Sequence, residues 1–561
     1  MNHKRLLQQY SRLHQRFEGQ DVDTSLQELS ELLCCTRRHM RSLLAQMQAL
    51  GWLDWAARPG RGQRSRLRFL RGVAELQRQQ AEQLLEQGRV EQAVALLDDD
   101  PRQLAPLLLS RLGHRWNQDR QVLGVPYYRP LPNLTPVTPL RRSERHLVAQ
   151  IFNGLTRLNE EKGEIEGDLA HHWEQHSDRE WHFHLRPRVR WHDGRELSLD
   201  DIAAAIARLR RQPLFSHLES VQRLSPRSIA LRLSESDPWL PRLLADPAAL
   251  ILPADHETRA GFASRPVGTG PYRVAVNDEH RLSLQAFDDY FGLRALLDQV
   301  DIWMVPKLGD QLALDVKGAC DLTVEINPQP VAEQTEMALE TGVYYLLCDG
   351  RSETMRSDAV RRWLAQTLAP LAVMQQTPAA VRQYWVAASG LLPRWHHSEP
   401  QAPPAAPAIR SLRLAYYEQH PEYRQIADAI TQCLAPLGIE LRCQVHSYQD
   451  WERGLAETDL WLGTVNFSSD VDYAVPAWLL GTPLLRRCLE PALPMDEWLR
   501  GWRAGSQQAS GLAAQVVRRH WMLPLFHNWL RLKGPGQIED FRLNSMGWFD
   551  FKSAWLRPQT S

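Results

Sequence analysis

The chain lacks both the long apolar run of a membrane protein and the leader of an exported one. No stretch approaches the roughly 18 consecutive apolar residues that span a bilayer. The first residues, MNHKRLLQQYSRLHQRF, are polar where a signal peptide would be apolar. We therefore expect a cytoplasmic protein with no membrane partner.

Paired cysteines and catalytic motifs are missing as well. The seven cysteines are an odd number without CxxC spacing, which indicates reduced, mostly buried thiols. The sequence contains no GxSxG elbow, no GxxxxGK[ST] loop and no HExxH pair. These absences leave hydrolase, nucleotide-driven and zinc-protease functions without support, and we predict neither enzymatic activity nor a cofactor.

Net charge is also absent, but the charges are unevenly distributed. The chain has 66 Lys and Arg against 66 Asp and Glu. Residues 1–72 hold thirteen of the basic residues and six of the acidic ones. The N-terminal part is therefore basic and the remainder acidic, and 561 residues leave room for two or more domains.

Residues 1–72 contain a helix-turn-helix pattern. Ser25 and Glu28 form a capping-box pair before a leucine-rich helical run that ends near Leu33. After Cys34–Thr36, a second amphipathic run carries apolar residues on one face and basic residues on the other. In this motif the start of the second helix enters the major groove of DNA. The candidate contacts there are Thr36, Arg37, Arg38, His39, Arg41 and Ser42.

A basic hairpin is predicted next, with two short strands around Pro59–Gly60 and Arg61–Gly62. Its candidate contacts to phosphate or a minor groove are Arg58, Arg61, Arg64 and Arg66. Because alternate side chains of a strand share a face, Arg68 would join Arg64 and Arg66. A solvated charged hairpin is the alternative, but the order helix, helix, wing favours binding to double-stranded DNA.

Residues 73–120 are predicted to form a helical connector, because AELQRQQAEQLLEQGRVEQAVALL has helical periodicity. We rank packing against the neighbouring domains first as the role of its apolar positions. A dimer contact is the alternative, so the oligomeric state stays open.

Residues 121–561 carry three ordered blocks that resemble the peptide and nickel family of solute-binding proteins. They are LTRLNEEKGEIEGDLAHHW, WHFHLRPRVRWHDGRELSLDDI and PVGTGPY. The resemblance implies a two-lobed α/β domain of the periplasmic-binding-protein type (type II, family 5). The first lobe would hold about 121–307 and 522–561, the second about 308–521, and a small ligand would lie between them. The strand, helix and strand pattern of 410–451 fits such a second lobe.

The chain as a whole resembles the SgrR family of bacterial transcriptional regulators, through RRHMRSLL, GRGQRSRL, LLPRWHH and NSMGWFDFKSAW. The expected fold is multidomain: an α+β winged helix-turn-helix, a helical connector and the two-lobed domain. The resemblance implies a cytoplasmic regulator of the sugar-phosphate stress response that activates a small regulatory RNA gene and represses its own promoter. The alternatives are a peptide receptor of an ABC transport system and an enzyme built on a receptor fold.

Candidate ligand contacts are harder to choose from sequence. A sugar phosphate needs cationic or backbone donors and an aromatic face for the ring. The candidates are Trp395, His396, His397, Trp461, Asn466, Asp470 and Asp472. The paired histidines, such as His182 with His184, could contribute to a metal site, but no further ligand stands at a fitting spacing. We interpret them as structural and predict no metal.

Overall fold

The computed structural model describes residues 3–58, 64–86, 92–93, 96–97, 113–117, 119–127, 129–137, 140–304, 323–326, 336–398, 404–418, 420, 422–533, 538–539 and 544–556. These residues fall into two compact units. The head comprises the described residues up to 97, and the body comprises those from Gly113 onward. No helix in the described part of the chain combines the length and apolarity needed to cross a membrane.

The head is a small helical unit with a three-stranded antiparallel sheet in the order β1, β3, β2. Its elements in chain order are α1 His3–Arg16, β1 Val22–Thr24, α2 Leu26–Leu32, α3 Arg37–Ala49, β2 Leu53–Ala56, β3 Ser65–Phe69 and α4 Val73–Glu86. The predicted order of helix, helix and two-stranded wing is confirmed, and β1 adds a third strand.

Local capping explains where the two central helices begin. Ser25 and Glu28 form both bonds of the capping box at α2. The Thr36 hydroxyl accepts a hydrogen bond from the His39 amide at the start of α3, at 3.2 Å. After α3, Gly51 adopts a φ of +69°, a left-handed conformation that ends the helix.

The core of the head joins helices α1, α2, α3 and α4. The buried face of α3 packs against α1, α2 and the sheet, and the contributing residues are Leu6, Leu7, Tyr10, Leu13, Leu29, Met40, Leu44, Met47, Trp52, Leu67 and Leu76. The Tyr10 hydroxyl donates to the Trp52 carbonyl, and burial raises the pKa of Tyr10 to about 12. Our sequence analysis did not identify α1, although Leu6, Leu7, Tyr10 and Leu13 have helical spacing.

The body is built from strands and helices that alternate irregularly along the chain. Its strands are β4 Gly113–Asn117, β5 Arg120–Tyr127, β6 Thr156–Asn159, β7 Glu164–Gly167, β8 Ala170–Ser177, β9 Glu180–Leu185, β10 Leu218–Ser225, β11 Ser228–Leu233, β12 Tyr272–Asn277, β13 Arg281–Ala286, β14 Gln299–Met304, β15 Thr323–Ile326, β16 Glu336–Leu339, β17 Gly342–Cys348, β18 Trp385–Ala387, β19 Ser411–Tyr417, β20 Glu440–His446, β21 Leu460–Asn466, β22 Met522–Lys533, β23 Ile538–Glu539 and β24 Trp555–Leu556. Its α-helices are α5 Arg142–Ile151, α6 Leu199–Leu209, α7 Leu240–Leu243, α8 Glu353–Arg356, α9 Asp358–Thr367, α10 Pro370–Gln376, α11 Ala379–Arg382, α12 Tyr423–Leu434, α13 Tyr448–Arg453, α14 Val471–Gly481, α15 Pro483–Leu489, α16 Met495–Arg503 and α17 Ala509–Arg518. Four 3₁₀ turns lie at Pro213–Phe215, Pro247–Ala249, His256–Thr258 and Ala435–Leu437.

A five-stranded sheet in the order β12, β13, β14, β5, β4 corrects the predicted connector. Helix α4 occupies the start of residues 73–120 as predicted, whereas Gly113–Asn117 is strand β4 and pairs with β5. The helical prediction is therefore wrong for this end of the connector. The residues on β4 gain their hydrogen bonds from β5, the next strand of the chain, in an antiparallel pair that begins at Asn117 and Arg120.

A four-stranded antiparallel sheet in the order β10, β11, β9, β8 contains the second sequence block. Trp181, Phe183 and Leu185 point into the core from β9, as their alternation predicts. Ser198 caps α6 in a capping box with Asp201, and Gly194 makes the turn before it.

The largest sheet has eight strands and shows that the predicted lobe boundary is wrong. Strand β22 pairs with β15, β16, β17 and β18, and β17 continues to β21, β19 and β20. Residues from Met522 onward therefore extend the second-lobe sheet instead of returning to the first lobe. The return occurs later, where Trp548, Phe549 and Phe551 enter the core of the five-stranded sheet.

The predicted strand, helix and strand of the second lobe are β19, α12 and β20, and β20 lies beside β19 at the edge of the sheet. Leu412, Leu414 and the stripe of α12 are buried as expected. Cys443 on β20 is exposed instead of buried, because β20 has a neighbouring strand on one side only.

The third sequence block, PVGTGPY, brings two stretches of backbone into contact. The Gly270 amide donates to the Ile151 carbonyl at the end of α5, at 2.8 Å. A Cβ atom added at Gly268 would lie 1.9 Å from the same carbonyl oxygen. Only glycine fits this approach of β12 to α5.

We predict that Gly268→Ala lowers the stability of the body by about 2 kcal/mol or more, because the added methyl group forces backbone apart in a packed core. Thermal unfolding followed by circular dichroism measures the effect. Gly511→Ala is the matched control, since Gly511 lies in α17 with open space around its Cα. An unchanged midpoint for Gly268→Ala would contradict the role given to this contact.

Candidate DNA interface and ligand cleft

The first turn and a half of α3 presents a basic, solvent-exposed surface. Thr36, Arg37, Arg38, His39, Arg41 and Ser42 are all exposed, while Met40, Leu43, Leu44 and Met47 are buried. The partition between the two faces is the one the sequence predicts. Free backbone amides at the helix start add partial positive charge to that of the arginines, so this end of α3 suits a phosphate backbone or a groove.

The arginines of the wing differ in what surrounds them. Arg64 pairs with Glu28 at 2.9 Å, and Arg66 and Arg68 both approach Asp21, at 3.5 and 3.2 Å. Arg61 lies outside the described residues. Arg66 and Arg68 share the exposed face of β3 as predicted, but nearby carboxylates compensate part of its charge. Strand β1 lies beside β3 and brings Asp21 to that face, a pairing the wing pattern does not reveal.

Several arginines of the head form no ion pair within the described residues, and some of them are predicted DNA contacts. Arg38, Arg41 and Arg58 are exposed and form no ion pair with any carboxylate that the structure describes. Arg37 instead donates to the Gln27 side chain. The candidate DNA interface thus centres on the start of α3 and on Arg58 at the base of the wing.

The body contains a large cleft of about 1340 Å³. Its walls come from α5, the β6–β7 hairpin, the turns near Pro213 and Pro247, the start of β17, the segment from β21 into α14, and the tail segment near Asn544. The partly apolar surface includes ring faces from Phe152, Phe215, Tyr290, Phe467, Tyr473 and Trp478. A cleft of this size takes a small molecule or a short peptide.

Only two of the predicted ligand residues line this cleft. Asn466 ends β21 and donates to Glu340 at 3.0 Å, while Asp470 pairs with Arg242 at 3.3 Å. Asp472 is exposed in the first turn of α14 and is not part of the wall.

The other predicted ligand residues lie elsewhere in the second lobe. Trp461 is fully buried, and its indole nitrogen donates to Asp349 at 2.9 Å. His396 lies 2.7 Å from the Ser389 hydroxyl, and His397 lies 3.3 Å from Ser510 on α17. Trp395 packs beside His397. The ligand-binding prediction is not supported for these residues, because tertiary packing turns their segment away from the cleft.

The adjacent arginines of α9, Arg361 and Arg362, also make contacts within the fold and not with the cleft. Arg361 is buried, donates to the Met355 carbonyl at 2.7 Å, and lies 3.7 Å from the centre of the Trp521 ring. Arg362 forms an ion pair with Asp358 on its own helix. Neither residue lines the cleft.

Most acidic groups of the cleft have partners in the wall itself. Glu166 bonds with Asn159 and Arg157, and Glu340 pairs with Arg142. Asp168 accepts hydrogen bonds from Asn153 and from the Gly154 amide. Burial nevertheless raises the pKa of Asp168 to about 6.

Glu452 and Arg145 are the exception, and sequence reasoning missed both. Glu452, on α13, makes no hydrogen bond with the described residues, and desolvation raises its pKa to about 8 despite the nearby Arg145 charge. Arg145, on α5, forms no ion pair within the part of the chain that the structure describes. Since Glu452 is mostly protonated at pH 7, the charge of Arg145 is available to an anion in the cleft.

Comparisons with known proteins match both units. Residues 5–119 match the family described as "Sugar transport-related sRNA regulator N-term", and residues 164–366 match "Bacterial extracellular solute-binding proteins, family 5 Middle". Full-length similarity reaches 44% identity with the HTH-type transcriptional regulator SgrR of Yersinia pestis, covering 100% of each chain. Similarity to the protein of the same name from Escherichia coli O157:H7 is also 44%, covering 99% of each chain.

The fold of the body is similar to a solved oligopeptide-binding protein, AppA from Bacillus subtilis, described in complex with a nonapeptide. The TM-score is 0.64 at 15% identity, and the match covers 78% of this chain and 99% of that one. The predicted fold class, with its solute-binding body, is thereby confirmed.

We predict that Arg38→Ala and Arg41→Ala each weaken binding to a DNA site by about 1 to 3 kcal/mol, because each removes an uncompensated charge at the start of α3. Fluorescence anisotropy at fixed salt, with DNA from upstream of the gene, measures the loss. Arg66→Ala is the matched control, since Asp21 already compensates Arg66. Equal losses of DNA affinity for all three variants would show that location at the start of α3 does not determine how much an arginine contributes to binding.

We also predict a pH-dependent effect of Glu452→Gln on stability. The folded carboxyl has a pKa of about 8, above its usual 4.5, so the folded state holds the proton more tightly than the unfolded chain does. The wild-type protein therefore loses stability as pH rises from about 4.5 towards 8, and the glutamine variant avoids this loss. Thermal unfolding at pH 8.5 is expected to favour the variant by on the order of 1 kcal/mol, with little difference at pH 4.5.

The exposed Glu457 supplies the control for that comparison. Glu457→Gln is expected to leave the difference between the two pH values unchanged. A Glu452→Gln variant that gains nothing at pH 8.5 would mean that water or a partner already stabilises the Glu452 charge.

Proposed function

The chain belongs to the SgrR family of HTH-type transcriptional regulators, and on this premise we propose that it controls promoters in the cytoplasm in response to a sugar phosphate bound in the cleft of the body. In this proposal it activates a small regulatory RNA gene and represses its own promoter. The observation that carries the proposal is one chain that has an exposed basic helix start in its head and a large cleft with polar and apolar walls in its body.

Cationic and aromatic groups of the cleft support a phosphorylated sugar. Arg145, Arg211 and Lys552 line the cleft without an ion-pair partner among the described residues. Of these, Arg145 is our candidate for the phosphate, because the carboxyl near it stays largely protonated. Trp478 lines the same cleft with a partly exposed ring. A charge-assisted hydrogen bond to phosphate contributes about 1.5 to 3 kcal/mol.

A peptide is the second candidate ligand, and the acidic groups of the wall favour it. The lining contains more carboxylates than Arg and Lys side chains. Asp470 and Glu452 could take the ammonium group of an amino terminus. In that case the chain remains a ligand-sensing regulator, and only the identity of the signal changes.

Binding of ligand and DNA must be linked reciprocally if the ligand controls the head. A ligand that changes DNA affinity by a given factor has its own affinity changed by DNA by the same factor. Couplings of this kind are typically about 1 to 3 kcal/mol. The size of the linkage can therefore be measured from either side.

We predict that glucose 6-phosphate binds the full-length protein in calorimetric titration, that Arg145→Ala weakens this binding about tenfold or more, and that the ligand shifts affinity for upstream DNA. Arg424→Ala, an exposed position on α12 outside the cleft wall, is the matched control. Unphosphorylated glucose tests the need for the phosphate, and trialanine tests the peptide.

The outcomes separate the parts of the proposal. Binding of trialanine without binding of glucose 6-phosphate would replace the sugar phosphate by a peptide and leave the regulator intact. Glucose 6-phosphate binding that Arg145→Ala does not weaken would refute the anchor. Sequence-specific DNA binding that neither compound alters would refute sensing by these ligands.

A further inference from the structure

The outer face of the β8–β9 hairpin carries histidines and glutamates that neither the core nor the cleft uses. On β9, Trp181, Phe183 and Leu185 point into the core, so Glu180, His182 and His184 share the opposite face. This face belongs to the edge of the four-stranded sheet, because β8 is its last strand.

Strand register places further metal-ligating side chains on the same face. Glu174 of β8 lies directly opposite His182, and His172 lies directly opposite His184. The register shifts between Gln175 and Ser177, which inserts His176 as an extra residue. A β-bulge of this kind re-aims a side chain, and the His176 ring stacks on His182 with 4.5 Å between centroids.

Three of these side chains converge closely enough to share one cation. One ligand atom from each of His176, Glu180 and His182 lies within 4.8 Å of the others. A His182 ring nitrogen lies 2.9 Å from a Glu180 oxygen. Two imidazoles and a carboxylate form a ligand set that suits zinc, nickel and copper ions.

Neighbouring groups hold these ligands in position. Arg232 on β11 bonds the second oxygen of Glu180 at 3.1 Å, which leaves the first oxygen directed at His182. Ala230, also on β11, pairs with His182 and leaves room beside the ring because its side chain is a methyl group. Such outer contacts orient the ligands of metal sites.

A second acidic group extends the cluster along the hairpin. An oxygen of Glu174 lies 3.9 Å from a nitrogen of His182 and 3.6 Å from a nitrogen of His184. The other ring nitrogen of His184 lies 2.9 Å from the Ser228 hydroxyl. Glu174 therefore faces Nδ1 of His182, whereas Glu180 faces Nε2 of the same ring, so Glu174 helps to orient His182 from the other side.

We propose that His176, Glu180 and His182 form a binding site for a divalent transition-metal ion, with Glu174 and Arg232 as outer groups that orient the ligands. The site is independent of the proposed ligand cleft, since none of these residues lines it. Partial exposure of the cluster gives the ion a direct route from solvent. The sequence pattern shows His182 and His184 only as a pair and does not predict the site, because His176 and Glu180 reach His182 through the β-bulge and the strand pairing.

The test is calorimetric titration of the full-length, chelator-treated protein with zinc chloride in the presence of a phosphine reductant. We expect saturable binding that includes one equivalent assigned to the hairpin. His176→Ala and Glu180→Gln should each remove that equivalent or weaken it at least about tenfold. These side chains are exposed or half-buried, so circular dichroism is expected to show an unchanged fold.

His396→Ala is the matched control, because His396 is an exposed histidine in another part of the body. It should leave zinc binding at the level of the unsubstituted protein. A second readout is thermal stability, which zinc should raise for the unsubstituted protein and for His396→Ala but less for His176→Ala. Absence of saturable binding, or equal loss in His396→Ala and His176→Ala, would overturn the proposal.

Discussion

Strand β22 is the element on which the cleft of the body depends. It pairs with β15, β16, β17 and β18, and its Phe526 lies opposite Tyr344 of β17. The chain then reaches the tail, where Trp548, Phe549 and Phe551 enter the core of the five-stranded sheet. One continuous segment thus links both cores. Glu340, which lies just before β17, and Asn544, which follows β22, both line the cleft.

Ion pairs within the protein compensate part of the charge at both candidate sites, so the charges left unpaired at those sites are available to ligands. In the head, Asp21 and Glu28 compensate three arginines of the wing, whereas Arg38 and Arg41 stay uncompensated among the described residues. In the cleft, the same distinction separates Arg242, which pairs with Asp470, from Arg145. Exposed pairs contribute little to stability, so the uncompensated groups matter more for recognition than for folding.

The sequence predicts what depends on neighbours along the chain and misses what depends on distant pairing. Capping boxes at Ser25 and Ser198 and the alternation of β9 are local, and the structure confirms them. The place of Met522–Lys533 and the compensation of Arg66 by Asp21 both arise from strands that are distant along the chain. Trp461 was a predicted ligand contact, but it is fully buried and bonds Asp349. The prediction is not supported because sequence periodicity cannot distinguish an aromatic residue of the core from one that lines a cleft.

A ligand can change DNA affinity only as far as it binds two states of the protein differently. In this cleft, a few contacts are enough to give the required difference in ligand-binding free energy between the two states. Arg145 lies on α5 and Glu452 on α13, in separate elements of the wall, and burial raises the pKa of Glu452. A phosphate that takes up the unpaired charge of Arg145, in exchange for solvent, binds only a state in which that charge faces the cleft. One such exchange is worth about 1.5 to 3 kcal/mol, which already spans the coupling that a ligand-controlled regulator needs.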